Sequence, residues 1–226
     1  TDTEAFGNEL GNNPLKQWTP QEHIDLIMDN VYKFEPGTDF SYSNTNTSLL
    51  GMIIENVTGL TLEKNIKERF VNKYGLTNTI FPGGHKMPIP YIHGYANYID
   101  ENLYTDDVSE LFDISWAWAA GAIISNIHNT RKWVEMLIDG DMLPDNLHQQ
   151  RFTGKSIPGR LIYGMGIFSY GNDMWGHNGG LPGYTSIMMR HRTLDFTIVV
   201  FCNWQNNEVT PDNIYKRLLK VVYPEI

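Results

Sequence analysis

With 226 residues and 41% hydrophobic content, the chain is long enough for one sizeable core or two closely packed subdomains, and too apolar to be disordered throughout. A formal charge of -9, from 17 Lys and Arg against 26 Asp and Glu, with no basic cluster, argues against nucleic acid as a partner. No apolar run approaches the roughly 20 residues that a spanning helix needs, so no transmembrane segment is expected.

Residues 1–14 are polar and rich in Gly and Asn, and read as a loop or ragged end. Thr19-Pro20-Gln21-Glu22 has the form of an N-cap with Pro at the first helical position, predicting a helix through His23 to Asn30. Pro36-Gly37 makes a turn, and Phe40 to Gly59 then reads FSYSNTNTSLLGMIIENVTG. Its first half sets Tyr42, Ser43 and Asn44 on a short extended piece; its second half is a predicted helix. Leu49, Leu50, Ile53, Ile54 and Val57 recur at helical spacing and are expected to form a buried support, with Gly59 as the stop. The plain alternative is that Tyr42-Ser43-Asn44 only caps a core helix.

Residues 62–74 predict another helix ending at Gly75. Thr61-Leu62-Glu63-Lys64 reads as its capped start. From Phe81 to Asp113, prolines, tyrosines and acidic residues predict long irregular loops over a site. The Trp and Tyr richness between Tyr91 and Trp118 suits pocket lining or ordinary packing better than a sugar-binding stripe. Residues 129–138 form an amphipathic helix with Trp133, Met136 and Leu137 as buried candidates, and residues 145–152 add a short one. Four strands follow, at 163–170, 173–177, 184–190 and 196–203, as an antiparallel meander with turns at 171–172, 180–183 and 191–195. Thr210-Pro211-Asp212 opens a closing helix over 213–222, with Ile214, Leu218 and Val221 set toward the sheet. Helices, then strands, then a helix make an α+β fold, an antiparallel sheet packed against helices. Cys202, the single cysteine, packs as a small hydrophobe, cannot form an internal disulfide, and leaves the compartment open.

The second chemical stretch is WGHNGGLPGY, residues 175–184. His177 stands late on a strand, and the paired glycines after it let a ligand approach the backbone with no Cβ in the way. Taken alone, this is equally a hairpin turn with a surface histidine. His85 and His93 lie in a loop without HExxH, paired cysteines or His-x-His spacing, so no metal site is expected.

Together, Tyr42-Ser43-Asn44 and His177-Asn178-Gly179 resemble the second and third motifs of the penicillin-recognising serine hydrolases. The similar branch holds class C β-lactamases, D-alanyl-D-alanine carboxypeptidases, D-aminopeptidases and esterases. Glu35-Pro36-Gly37, Val57-Thr58-Gly59, the WAWAAGAIIS stretch at 116–125 and Tyr163-Gly164-Met165-Gly166 extend the likeness over nearly the whole chain.

The family's first motif, Ser-x-x-Lys, is absent from these residues. The resemblance implies a β-lactamase/transpeptidase-like domain of which this is the later portion, helical over about 15–155 and sheet-forming over about 160–226. The nucleophile and further strands of the sheet would then lie on a missing N-terminal segment.

The resemblance further implies that Tyr42 is the base or proton relay, Asn44 holds a substrate amide, and His177 replaces a lysine to steer a substrate carboxylate or position Tyr42. Gly180 N–H would form half of an oxyanion hole, with Trp116, Asn178 and Gly179 in substrate binding. Asn178 departs from the usual Thr. The implied activity is cleavage of an amide or ester in a small peptide, ester or β-lactam substrate through an acyl-enzyme, with no cofactor, in a periplasmic or secreted setting. The alternative is a non-catalytic module binding peptidoglycan-type or peptide ligands.

Overall fold

The computed structural model describes residues 4–28, 31–96, 106–157, 160–205 and 209–224. They fall into two compact units, one of Thr1–Tyr91 with Val108–Ser125, the other of Ile92–Asp107 with Asn126–Ile226.

The first unit is helical. Where a loop was expected, α1 spans Glu4–Asn12, because Phe6 and Leu10, one turn apart, bury themselves against Trp18 and Phe112. That burial outweighs the poor helix propensity of Gly7, Asn8 and Gly11. Helix α2 covers only Pro20–Asp25, shorter than predicted, with residues 29–30 of the expected helix outside the described set. Its capping box is complete: the Thr19 hydroxyl accepts from the Glu22 N–H and the Glu22 carboxylate accepts from the Thr19 N–H at 2.7 Å. His23 on α2 is fully buried, its Nδ1 3.2 Å from the Ser48 hydroxyl.

Helix α3 runs over Asn44–Thr58 and stops at Gly59, whose φ of 67° suits glycine. Its packing corrects the sequence reading. Thr45, Ser48 and Gly51 are the buried positions, whereas Leu49, Leu50, Ile53, Ile54 and Val57 are 40–77% exposed. Small residues let neighbouring backbone come close; a Cβ on Gly51 would sit 2.8 Å from the Trp118 ring and the Ala119 methyl. Helix α4, Leu62–Ile66, is capped by Thr61, whose hydroxyl accepts from Lys64 N–H, and continues as a π turn over Lys67–Asn72 toward Gly75. Thr61 to Lys64 is therefore a helix start, as expected.

The second unit holds the sheets. Strands β1 (Tyr95–Ala96) and β2 (Asp106–Asp107) pair within the stretch expected to be irregular; residues 97–105 between them lie outside the described set. Helices α5 (Ile127–Asp139) and α6 (Asp145–Arg151) follow. Of the positions expected to be buried on α5, Met136 is, while Trp133 and Leu137 are half-buried and Val134 and Ile138 reach deeper. Then come β3 (Lys155–Ile157), β4 (Arg160–Tyr163), β5 (Phe168–Gly171), β6 (Met174–Leu181), β7 (Tyr184–His191), β8 (Thr197–Cys202), β9 (Trp204–Gln205) and α7 (Pro211–Val222). Strands β3 to β8 form one antiparallel sheet in chain order, and β9 joins β1 and β2.

Three strand boundaries differ from expectation. Residues 163–170 are a hairpin, not one strand: Gly164 N–H donates to Ile167 C=O at 2.8 Å and Gly166 takes φ 72°, which breaks the alternation. The β5–β6 turn centres on Asn172 and Asp173, both with φ near 55°, as a type I′ turn requires. Strand β6 continues through Asn178-Gly179-Gly180 to Leu181, fully paired with β7, so His177 is mid-strand.

Each face of the large sheet carries a helix. Tyr215 and Leu219 of α7 cover Phe168, Met174, Ile187 and Met189; Val134 and Ile138 of α5 cover Ile167 and Trp175. The buried face of α7 is thus Pro211, Tyr215 and Leu219, not the predicted Leu218 and Val221, which are 41% and 79% exposed. Arg190 on β7 reaches Asp139 of α5 at 2.9 and 3.0 Å and Asp195 at 2.9 Å, and those carboxylates hold its guanidinium above the ordinary value.

Candidate functional site

In the helical unit, the turn ahead of Tyr42-Ser43-Asn44 is held by Thr38, whose N–H and hydroxyl both donate to the Glu35 carbonyl, with Gly37 at φ 82°. The chain then extends through Tyr42, 46% exposed, to Ser43 at the N-cap position of α3. Ser43 makes no side-chain cap; its carbonyl accepts from Asn46 N–H at 3.2 Å. Asn44, half-buried, is the first helical residue, and its carbonyl accepts from the Thr47 hydroxyl at 2.6 Å. The sequence therefore delivers a phenol and an amide from the start of a well-terminated helix.

Beside α3 lies an apolar cavity of about 260 Å³, lined by Leu50, Gly51, Ile54, Phe81, Trp118 and residues 119–123. Trp118 adopts φ 34°, a conformation a bulky residue takes only when its surroundings impose it. Trp116, the indole singled out from the sequence, packs 5.8 Å from the Phe6 ring in the core of this unit. It is Trp118 that lines the cavity, two residues on in the same stretch.

In the sheet unit, β6 brings His177, Asn178, Gly179 and Gly180 together. Asn178 lies toward α7 with Met174 and Ile187, and the His177 ring meets the Tyr163 and Phe168 rings. The Tyr163 hydroxyl is 2.9 Å from His177 Nε2, and the Asn178 carbonyl is 2.5 Å from His177 Nδ1. The Asn178 amide donates to the Asp212 carboxylate at 3.1 and 3.3 Å, and Asp212 also accepts from the Tyr170 hydroxyl.

The glycines differ in what holds them. A Cβ on Gly176 would lie 1.8 Å from the Met188 carbonyl oxygen and one on Gly179 3.1 Å from the Ser186 hydroxyl, whereas one on Gly180 meets only the Thr185 methyl at 3.8 Å. Internal packing thus leaves the space over Gly180 open. Sequence reasoning missed Tyr163, Tyr170 and Asp212 as neighbours of the motif. Tyr163 was visible in Tyr-Gly-x-Gly, but only the hairpin turns it toward His177.

Outside these motifs, His93 Nδ1 pairs with Asp107 at 2.6 Å, and no group of three or more His, Cys, Asp or Glu among the described residues could hold a metal ion. No helix among them is long and apolar enough to cross a membrane.

The β-lactamase family profile matches residues 4–221. The chain belongs to the β-lactamase family. Among curated members it is 29% identical over 196 residues to the putative penicillin-binding protein PbpX of Bacillus subtilis, covering 84% of this chain and 46% of that one. Identity to protein flp of Staphylococcus aureus is 25% over 190 residues, 82% of this chain and 37% of that protein. The chain thus spans less than half the length of these curated relatives. Among solved structures, a D-stereospecific amidohydrolase from Streptomyces sp. matches with TM-score 0.88 and 26% identity over 100% of this chain and 68% of that one. The D-amino acid amidase of Ochrobactrum anthropi SV3, complexed with L-phenylalanine amide, matches with TM-score 0.80 and 27% identity over 93% and 65%. The expected β-lactamase/transpeptidase-like α+β fold is therefore the one observed.

Proposed function

We propose that this β-lactamase-family chain carries the second and third motifs of a serine hydrolase that cleaves an amide or ester through an acyl-enzyme, its nucleophile supplied by an upstream segment. The observation that carries the reading is the ordered pair Tyr42-Ser43-Asn44 and His177-Asn178-Gly179 inside a family match that reaches from residue 4 to residue 221. Likeness to a D-stereospecific amidohydrolase and a D-amino acid amidase, at 26% and 27% identity, directs the substrate toward D-configured amides and small peptides.

In the acylation step the upstream hydroxyl attacks the acyl carbon as its proton passes to Tyr42, which takes it as a phenolate and then gives it to the departing amine or alkoxide, or relays by giving up its own phenol proton as it accepts; water then releases the acyl group by the same route. Asn44 hydrogen-bonds the substrate amide, and Gly180, after Gly179, offers unhindered backbone, its N–H to the developing oxyanion. Trp116 supports the pocket from behind, and Asn178 contributes through its carbonyl, its amide being taken by Asp212. The setting that fits a peptidoglycan-like peptide substrate is periplasmic or secreted.

The test is turnover of p-nitrophenyl esters, D-amino acid amides and D-Ala-D-Ala peptides by the full-length protein and by its Tyr42→Phe variant. Loss of one proton-transfer group lowers kcat by about 100-fold or more. Full-length protein that binds these compounds without cleaving any of them is a binding module, and the reading fails.

A further inference from the structure

Both ring nitrogens of His177 are engaged, and one partner fixes the proton on Nδ1. A backbone carbonyl only accepts, so the contact of Nδ1 with Asn178 C=O at 2.5 Å puts the ring proton on Nδ1. Nε2 lies 2.9 Å from the Tyr163 hydroxyl, which donates to it when the ring is neutral and accepts from it when the ring is an imidazolium. The Phe168 ring stands 5.2 Å from the imidazole and the Tyr163 ring 5.7 Å, both edge to face, so the ring is also held by packing. Asn178 adds no charge, since its amide is bound to Asp212. Lys216 lies 5.0 Å over the ring of Tyr170, whose hydroxyl donates to that same carboxylate.

We infer that Tyr163 is a positioning residue that holds His177 as a neutral Nδ1–H imidazole, and that the motif consequently takes an acyl donor whose end facing it is uncharged, an amide or ester, over one ending in a carboxylate. A desolvated carboxylate needs a cationic or multiply donating partner. A lysine at position 177 would supply the charge; an imidazole whose Nε2 lone pair already accepts from Tyr163 offers neither charge nor N–H on that side. The substrate preference rests on the acyl-enzyme reading above; the tautomer and the role of Tyr163 do not.

The experiment uses full-length protein labelled with ¹⁵N-histidine. The expected ¹⁵N spectrum shows His177 protonated at Nδ1, with the Nε2 resonance displaced in Tyr163→Phe as its donor is removed. An Nε2–H tautomer in the wild type, or an Nε2 resonance that the substitution leaves in place, overturns the positioning role. In parallel, hydrolysis of N-acyl-D-Ala-D-Ala is compared with that of its C-terminal amide. The amide is favoured by about tenfold or more in kcat/KM, His177→Lys moves the preference toward the carboxylate, and Tyr163→Phe lowers kcat by up to about 100-fold. A wild-type preference for the carboxylate peptide overturns the specificity assignment. Failure to cleave either peptide or any ester sinks the hydrolase reading and the specificity drawn from it, while the spectrum still decides the role of Tyr163.

Discussion

Gly176 and Gly180 separate structure from chemistry within one strand. A methyl at residue 176 would sit 1.8 Å from Met188 O, inside the β6–β7 pairing, while at residue 180 it meets ordinary contact at 3.8 Å. Gly176→Ala is therefore expected to destabilise by about 3 kcal/mol or more, as overpacking against backbone does, and to be read as a lower unfolding midpoint. On the proposed oxyanion role, Gly180→Ala keeps that midpoint and lowers kcat of the full-length protein; unchanged kcat would remove Gly180 from that role. At this scale the sequence was informative about residues in contiguous motifs. Tyr42 stands on the extended piece that short-range pattern predicts, while Asn44 is already helical and β6 runs on through the glycines, leaving His177 mid-strand. The pairings of Tyr163 with His177 and of Asp212 with Asn178 were not legible, because the partners are 14 and 34 residues apart, across a hairpin and a helix start that alternation alone does not reveal.

Among the elements, α3 shows why periodicity fixes a face but not its partner. The aliphatic stripe from Leu49 to Val57 is at helical spacing, yet the packed side is Thr45, Ser48 and Gly51. Close approach of Trp118 and Ala119 selects small residues there, and the hydroxyl of Ser48 meets His23. Gly51→Ala must push against a Trp ring and a methyl at 2.8 Å, and is expected to cost about 1–3 kcal/mol, seen as a lower denaturant midpoint at constant m-value. A neutral result would mean that the 118–120 turn yields easily. Helix α7 carries the same lesson: Tyr215 and Leu219, four apart, took the sheet face, although Leu218 and Val221 fit helical spacing equally well. Capping was the more dependable signal, since Thr19, Thr61 and Thr210 all accept from the N–H three residues on, as short polar side chains before a helix do.

For the molecule as a whole, the α+β class followed from element order and an antiparallel meander from turn residues between alternating runs, though four strands were expected where six form. The short strands β1, β2 and β9 did not, because two-residue strands carry no period. Global stability is also tied to pH through buried histidines. Burial, chiefly, holds the fully enclosed His23 below its ordinary value of 6.5, and His148 is lowered likewise by burial and by the Arg151 charge. A depressed native pKa means the unfolded chain binds protons first, so stability is full above about pH 6.5 and falls as acid is added toward the native values. Unfolding midpoints between about pH 7.5 and 5 should decline, with a shallower slope in His23→Asn; equal slopes would show that His23 is not the coupled group.

The central claim is that the motifs on this chain serve an acyl-enzyme formed on an upstream serine. Intact-mass spectrometry of the full-length protein mixed with a slowly released D-aminoacyl ester tests it directly. The account predicts one adduct of the acyl mass that decays with turnover and maps to a serine of a Ser-x-x-Lys ahead of residue 1. Turnover with no adduct, or an adduct on any residue of this chain, would contradict it.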